Sequence, residues 1–212
     1  MPLRSRELLP IADELRRELY FFSLYRVFEA ALLALVLFSP FDALAGDPRL
    51  PTLARSVSFL YLFAALCLFQ WARHGQGLRW QVLVGISIDI VAATLATHAL
   101  PSATPGIALM LLFNIGSAAL LLPLRYGLGG ALLAGGALVA QYVWSQLGNT
   151  GEQRPLAEVV MFSVSFLAIA MLTYMLGRQM RDSRALAERR GAELADLAAV
   201  NELIIRRMHA GV

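Results

Sequence analysis

Four residues that are costly in a membrane stand inside otherwise apolar runs of this chain: Arg26, Glu29, Asp89 and Asn114. An ionisable side chain at mid-bilayer costs about 3 kcal/mol or more, so it usually faces protein or water and marks a functional candidate. Asp89 has Gly85, Ala92, Ala93 and Ala96 as its helical neighbours along one face. That small stripe lets another helix approach closely, and it predicts Asp89 in a helix–helix contact with no bulky residue shielding it. Asn114 has Ser117 and Ala118 on its face. Counted inward from Pro101 and Gly106, Asp89 and Asn114 lie 12 and 8 residues deep. Their depths differ by about 6 Å at the helical rise, so a direct or water-bridged pair is expected. Two readings of that pair stand. One is a polar clasp that holds helices together; the other is a docking or sensing site for a polar group on another transmembrane helix. Arg26 and Glu29 lie one helical turn apart and are expected to neutralise each other near the interface, with Arg26 snorkelling inward.

Other chemistries are closed off by residue type. All 18 basic residues are Arg, so there is no Lys for a phosphate-binding loop or for a Schiff base. A single Cys, Cys67, excludes an internal disulfide and a Cys-rich metal cage. His74, His98 and His209 form no pair at metal-ligand spacing, so no metal is expected, and Cys67 and His98 read as ordinary residues. The pI near 9.4 does not require nucleic acid, because Arg in cytoplasmic loops accounts for a basic balance in a membrane protein.

The elements that must position these residues are membrane helices. Of 212 residues, 58% are hydrophobic and 16% charged, with a mean hydropathy of +0.62, too apolar for a soluble chain of this size. Six apolar runs, at about 20–39, 52–71, 80–100, 106–123, 127–147 and 156–177, approach the roughly 20 residues that cross a bilayer. The separators are short and carry Pro, Gly or charge, so consecutive helices should be antiparallel neighbours. With the N-terminus inside, 14 Arg fall on the inner side and three (Arg49, Arg55 and Arg154) on the outer. That bias predicts both termini in the cytoplasm. Tyr20, Trp71, Trp80 and Tyr126 at inner helix ends and Trp144 near an outer end agree with it. Ala30–Phe38 followed by Ala43-Leu44-Ala45 resembles a signal-peptide core and cleavage site, but the leading segment is long and acidic, so an uncleaved first span is expected.

The expected organisation is a cytoplasmic segment 1–19, a six-helix membrane domain 20–177 and a cytoplasmic helix 178–212. The fold class is all-α. In the fifth span Gly127, Ala131 and Gly135 form a small-x-x-x-small face suited to close packing, within the subunit or across a dimer. After Gly177 a heptad register places Leu194 and Asn201 at a positions and Leu197 and Ile204 at d positions. Asn201 at an a position is the kind of residue that sets register in a parallel dimer. A parallel coiled coil and a solvated amphipathic helix are both consistent with the segment.

The tail AELADLAAVNELIIRRMHAGV, Ala192 to Val212, resembles the linker of PilS-type sensor histidine kinases. LYRVFEAALLALVL, IDIVAATLATH with Asp89 and His98, and SAALLLPLR resemble that family's first, third and fourth spans, so the likeness runs from about residue 15 to the end. The outer loop ALPSATPG departs from the family's Gly/Ser-rich pattern, which leaves outer-loop function uncarried. The resemblance implies a multi-pass sensor in the bacterial inner membrane, a homodimer, that recognises the major pilin transmembrane helix in a type IV pilus system. It implies signalling to the response regulator PilR through a PAS and kinase region, with ATP and Mg needed only there. The chain ends where that region is expected to begin, and no phosphoacceptor His motif or nucleotide box lies within it. Lateral docking of pilin near Asp89 and Asn114 is the sharper expectation. A membrane sensor of another output enzyme, such as a cyclase, and a small proton-coupled transporter are the competing readings.

Overall fold

The computed structural model describes the backbone of residues 8–38, 49–74, 77–147 and 155–209, and the side chains of 17–38, 49–73, 77–147, 155–195 and 197. The signal-peptide-like stretch Ala43–Ala45 and the side chains of Asn201 and Ile204 lie outside them. The described chain is helical: α1 (Leu8–Phe38), α2 (Pro51–His74), α3 (Leu78–Ala99), a short 3-10 turn (Pro101–Ala103), α4 (Thr104–Leu121), α5 (Leu124–Leu147) and α6 (Leu156–His209). Each helix contains a stretch long and apolar enough to span a bilayer, the first five being Arg17–Phe38, Pro51–Arg73, Leu78–Ala99, Pro101–Leu121 and Leu124–Leu147. At 1.5 Å per residue each of these five reaches about 32–36 Å, against a hydrocarbon core of about 30 Å. This is a six-span, all-α membrane domain.

Two of the helix starts that differ from the sequence reading do so for one reason. The fourth and fifth helices start at Thr104 and Leu124, two and three residues earlier than the apolar runs suggested. Proline breaks the incoming helix yet sits readily in the first turn of the next. Leu122, held extended before Pro123, ends α4, and the Tyr126 and Gly127 amides already donate to the Pro123 carbonyl. The turn is therefore Leu122–Pro123. Between α2 and α3, Gly77 takes a left-handed conformation at φ 69°, which a side chain would resist.

The chain forms two compact units, Met1–Tyr174 and Met175–Val212. In the first, α3 is central and touches α1, α2, α4 and α5. Its apolar core joins Phe22 of α1, Val82 and Ile86 of α3, Ile115 of α4, Ala131 of α5 and Phe166 of α6. Many of the most buried residues are alanines, while Phe28, Phe59, Leu133 and Met161 face outward. Lipid tails solvate Leu as well as a core does, so membrane helices associate by close packing of small residues instead. Gly127 and Gly135 make that packing within the subunit. A Cβ on Gly127 would lie 3.0 Å from Ala119 Cα of α4, and one on Gly135 would lie 3.2 Å from Ser163 Cβ of α6. Ala131, between them, is fully buried. In the second unit, Leu194 and Leu197 are exposed on the helix surface.

Candidate functional site

The costly residues converge on the faces where α1, α2, α3 and α4 meet. Arg26 is 2% exposed and Asp89 is 2% exposed, so this pair is removed from lipid as well as from water. Arg26 Nε donates to Asp89 Oδ1 and Nη2 to Oδ2, both at 2.7 Å. That two-point geometry is the strongest arrangement open to a guanidinium and a carboxylate. Tyr61 of α2 donates its hydroxyl to Asp89 Oδ1 at 3.1 Å. Phe22, one turn before Arg26, turns its ring to the guanidinium at 4.5 Å, adding a cation–π contact.

Gly85 makes the pair possible. A Cβ there would stand 2.6 Å from Arg26 Nη2 and 2.7 Å from Nη1, so the guanidinium lies in a notch that only glycine leaves open. The small stripe around Asp89 therefore does admit a close neighbour, and that neighbour is this chain's own first helix. Farther along it, Ala92 packs with Ala30, Tyr61 and Ala65, and Ala96 packs with Val57 and Ile107. Ala93 is partly buried against the main core.

Glu29 points to α4. Its Oε2 accepts from Asn114 Nδ2 at 2.8 Å, and both side chains are buried, Asn114 completely. The pairing thus corrects the sequence expectation in two respects. Arg26 does not hydrogen-bond Glu29 or snorkel to the interface; it gives its hydrogen bonds to Asp89. Asp89 and Asn114 do not hydrogen-bond each other; each receives a partner from α1. The physical reason is the packing of α1 against α2, α3 and α4 together. Arg26 gains two parallel bonds by reaching across to α3, which a neighbour on its own helix cannot offer. Glu29, one turn farther along, meets α4.

A small cavity of about 20 Å³ lies among Glu29, Asp89, Tyr61 and Asn114. Beside it, on the lipid-facing side, α2 and α3 form an apolar groove of about 500 Å³. Leu60, Val84, Val91 and Leu95 line the groove, and Tyr61 and Ala92 are shared with the smaller cavity. Tyr61 was missed in the sequence, although a tyrosine in the middle of a span, away from the interfacial belt, was a usable signal. So was the polar pair farther out, where Thr97 donates to Gln141 Oε1 at 2.7 Å between α3 and α5.

A family described as the PilS-like transmembrane domain matches residues 11–187, which includes all of the first five spans and the apolar part of the sixth. No curated protein and no solved structure matches the chain.

Proposed function

Because the chain belongs to the PilS-like transmembrane domain family, we propose that this membrane sensor module reads the major pilin within the inner membrane of a type IV pilus system. The coarse part, a membrane sensor module of a PilS-type kinase, follows from the family. Pilin as ligand, PilR as the downstream regulator, a homodimeric parent kinase and cytoplasmic termini are parts of the proposal. The sequence supports the termini through its Arg bias.

The observation that carries the reading is the position of Tyr61. Its ring lines the lipid-facing α2–α3 groove, and its hydroxyl holds the buried Asp89. A transmembrane helix entering laterally would touch Tyr61, and moving Tyr61 would remove one of the three hydrogen bonds to Asp89 described above. The resemblance supplies the occupant, an apolar pilin helix. The groove also relocates the expected docking face, since Gly85 is covered by Arg26. A ligand signals only if it binds two arrangements of the domain unequally. Here those arrangements differ in whether α2 and α3 stay clasped through Asp89. The sixth helix, continuous from Leu156 to His209, would carry the change onward.

Site-specific photocrosslinking tests this. A photoreactive residue at Leu60, Val84 or Val91, all exposed in the groove, should yield a pilin adduct in cells, and one at Leu132 or Leu133 on α5 should not. Well-expressed protein without an adduct at any groove position would refute the docking site.

A further inference from the structure

We propose that Glu29 and Asn114 form an intramembrane proton-binding site, in which the side chain of Glu29 is a neutral carboxylic acid that donates toward Asn114 Oδ1. Two independent observations carry this. The first is a charge count. Among the described residues, the buried cluster holds one guanidinium and two carboxylates. Arg26 gives both of its bonds to Asp89, which also accepts from Tyr61. The titratable groups around Glu29 are then Arg26 and Tyr25 on its own helix, Tyr61 on α2 and Asp89 on α3; α4 contributes the uncharged Asn114. Among the described residues no second cation balances Glu29, and an isolated carboxylate in this interior is strongly disfavoured. A bound proton removes that charge.

The second observation is an orphaned acceptor. Asn114 is fully buried, its Nδ2 donates to Glu29 Oε2, and its Oδ1 has no hydrogen-bond partner. Buried amide oxygens are seldom left unpaired. A carboxylate cannot supply the missing donor, but a carboxylic acid can. Acid and amide are complementary: the amide N–H goes to one acid oxygen, and the acid O–H goes to the amide oxygen. Turning the amide over would set Oδ1 against Glu29 Oε2, a contact that also needs a proton between the oxygens. The cavity beside them, about 20 Å³, has room for a single water, which could relay the donation. It is far too small for a hydrated metal ion. The ligand is therefore a proton, and α1 is joined to α4 through it. Deprotonation would turn this contact from a paired acid and amide into a buried, unbalanced charge.

The test is infrared spectroscopy of the full chain in lipid nanodiscs, with carbon-13 in the Glu carboxyl groups. At pH 7 the wild type should show a labelled carbonyl stretch of a protonated acid, and Glu29→Gln should lack it. Glu29→Gln keeps the shape and offers an amide N–H to Asn114, so its thermal unfolding should be independent of pH over the range where the wild type weakens. The sign follows from linkage: the native state holds a proton that the unfolded chain releases, so wild-type stability falls as pH rises and the band disappears. Should Glu29→Gln fail to fold, the wild-type band and its pH titration still decide. No protonated Glu band at pH 7 in folded wild type would overturn the proposal. A band that appears only when sodium is removed would also overturn it, by making the site one for a metal cation.

Discussion

Replacing Asp89 with Leu strands the Arg26 guanidinium in a buried site beside Phe22 and Gly85. Removing one partner of a buried ion pair typically costs about 3–5 kcal/mol, mostly from the charge left behind. That is two to nearly four decades in the unfolding constant at about 1.4 kcal/mol per decade. Arg26→Leu should cost a similar amount, since it strands Asp89. Replacing both should cost far less, because apolar residues in place of a buried pair are often neutral or better. The residual loss is the orphaned Tyr61 hydroxyl, about 1–2 kcal/mol. The two singles therefore sum to roughly 6–10 kcal/mol and the double stays near 2, a coupling of at least about 4 kcal/mol. Detergent-induced unfolding in mixed micelles, followed by helical circular dichroism, measures all four corners of this cycle. A coupling below about 1 kcal/mol would refute the reasoning, since independent sites already agree to within about 0.5 kcal/mol.

Other consequences are open to the same assay. Gly127→Ala drives a Cβ to 3.0 Å from Ala119 Cα, a backbone atom, and should destabilise by about 1–3 kcal/mol. Gly136→Ala, which meets nothing within 4 Å, should be neutral or stabilise by up to about 1 kcal/mol. Tyr61→Phe removes only the hydroxyl that holds Asp89 and should cost about 2 kcal/mol. Under the proposed function it should also shift pilin-promoter output in a reporter strain, whereas Phe63→Leu on the exposed side of α2 should change neither. Leu194 and Leu197 expose a pair of leucines on α6. If they form a dimer seam, Leu197→Glu should abolish tail self-association in analytical ultracentrifugation of the full chain in detergent.

The number of spans was legible in the sequence because bilayer thickness leaves few choices for apolar runs of about 20 residues. So were the costly residues, since a charge in lipid needs a reason wherever the helix goes. The small stripe beside Asp89 announced close packing, and Gly127, Ala131 and Gly135 announced it on α5. In each case composition and period carry the information, and both are properties of one helix at a time. The tail carried the resemblance, which the family match over residues 11–187 supports from the membrane side.

Which charge meets which belongs to the tertiary structure alone. Arg26 and Glu29 are one turn apart, so local geometry favours their pairing, yet each finds its partner on a different helix. Helix rotation and register decide that outcome, and no residue spacing within α1 encodes them. Tyr61 enters the site only because α2 lies beside α3 with that face inward. Packing also decided that the notch at Gly85 would be filled by Arg26 from the same chain. A sequence states that a buried charge must be satisfied. Only the assembled bundle, by bringing one cation to two acids, decides which acid takes the cation and which is left to an amide.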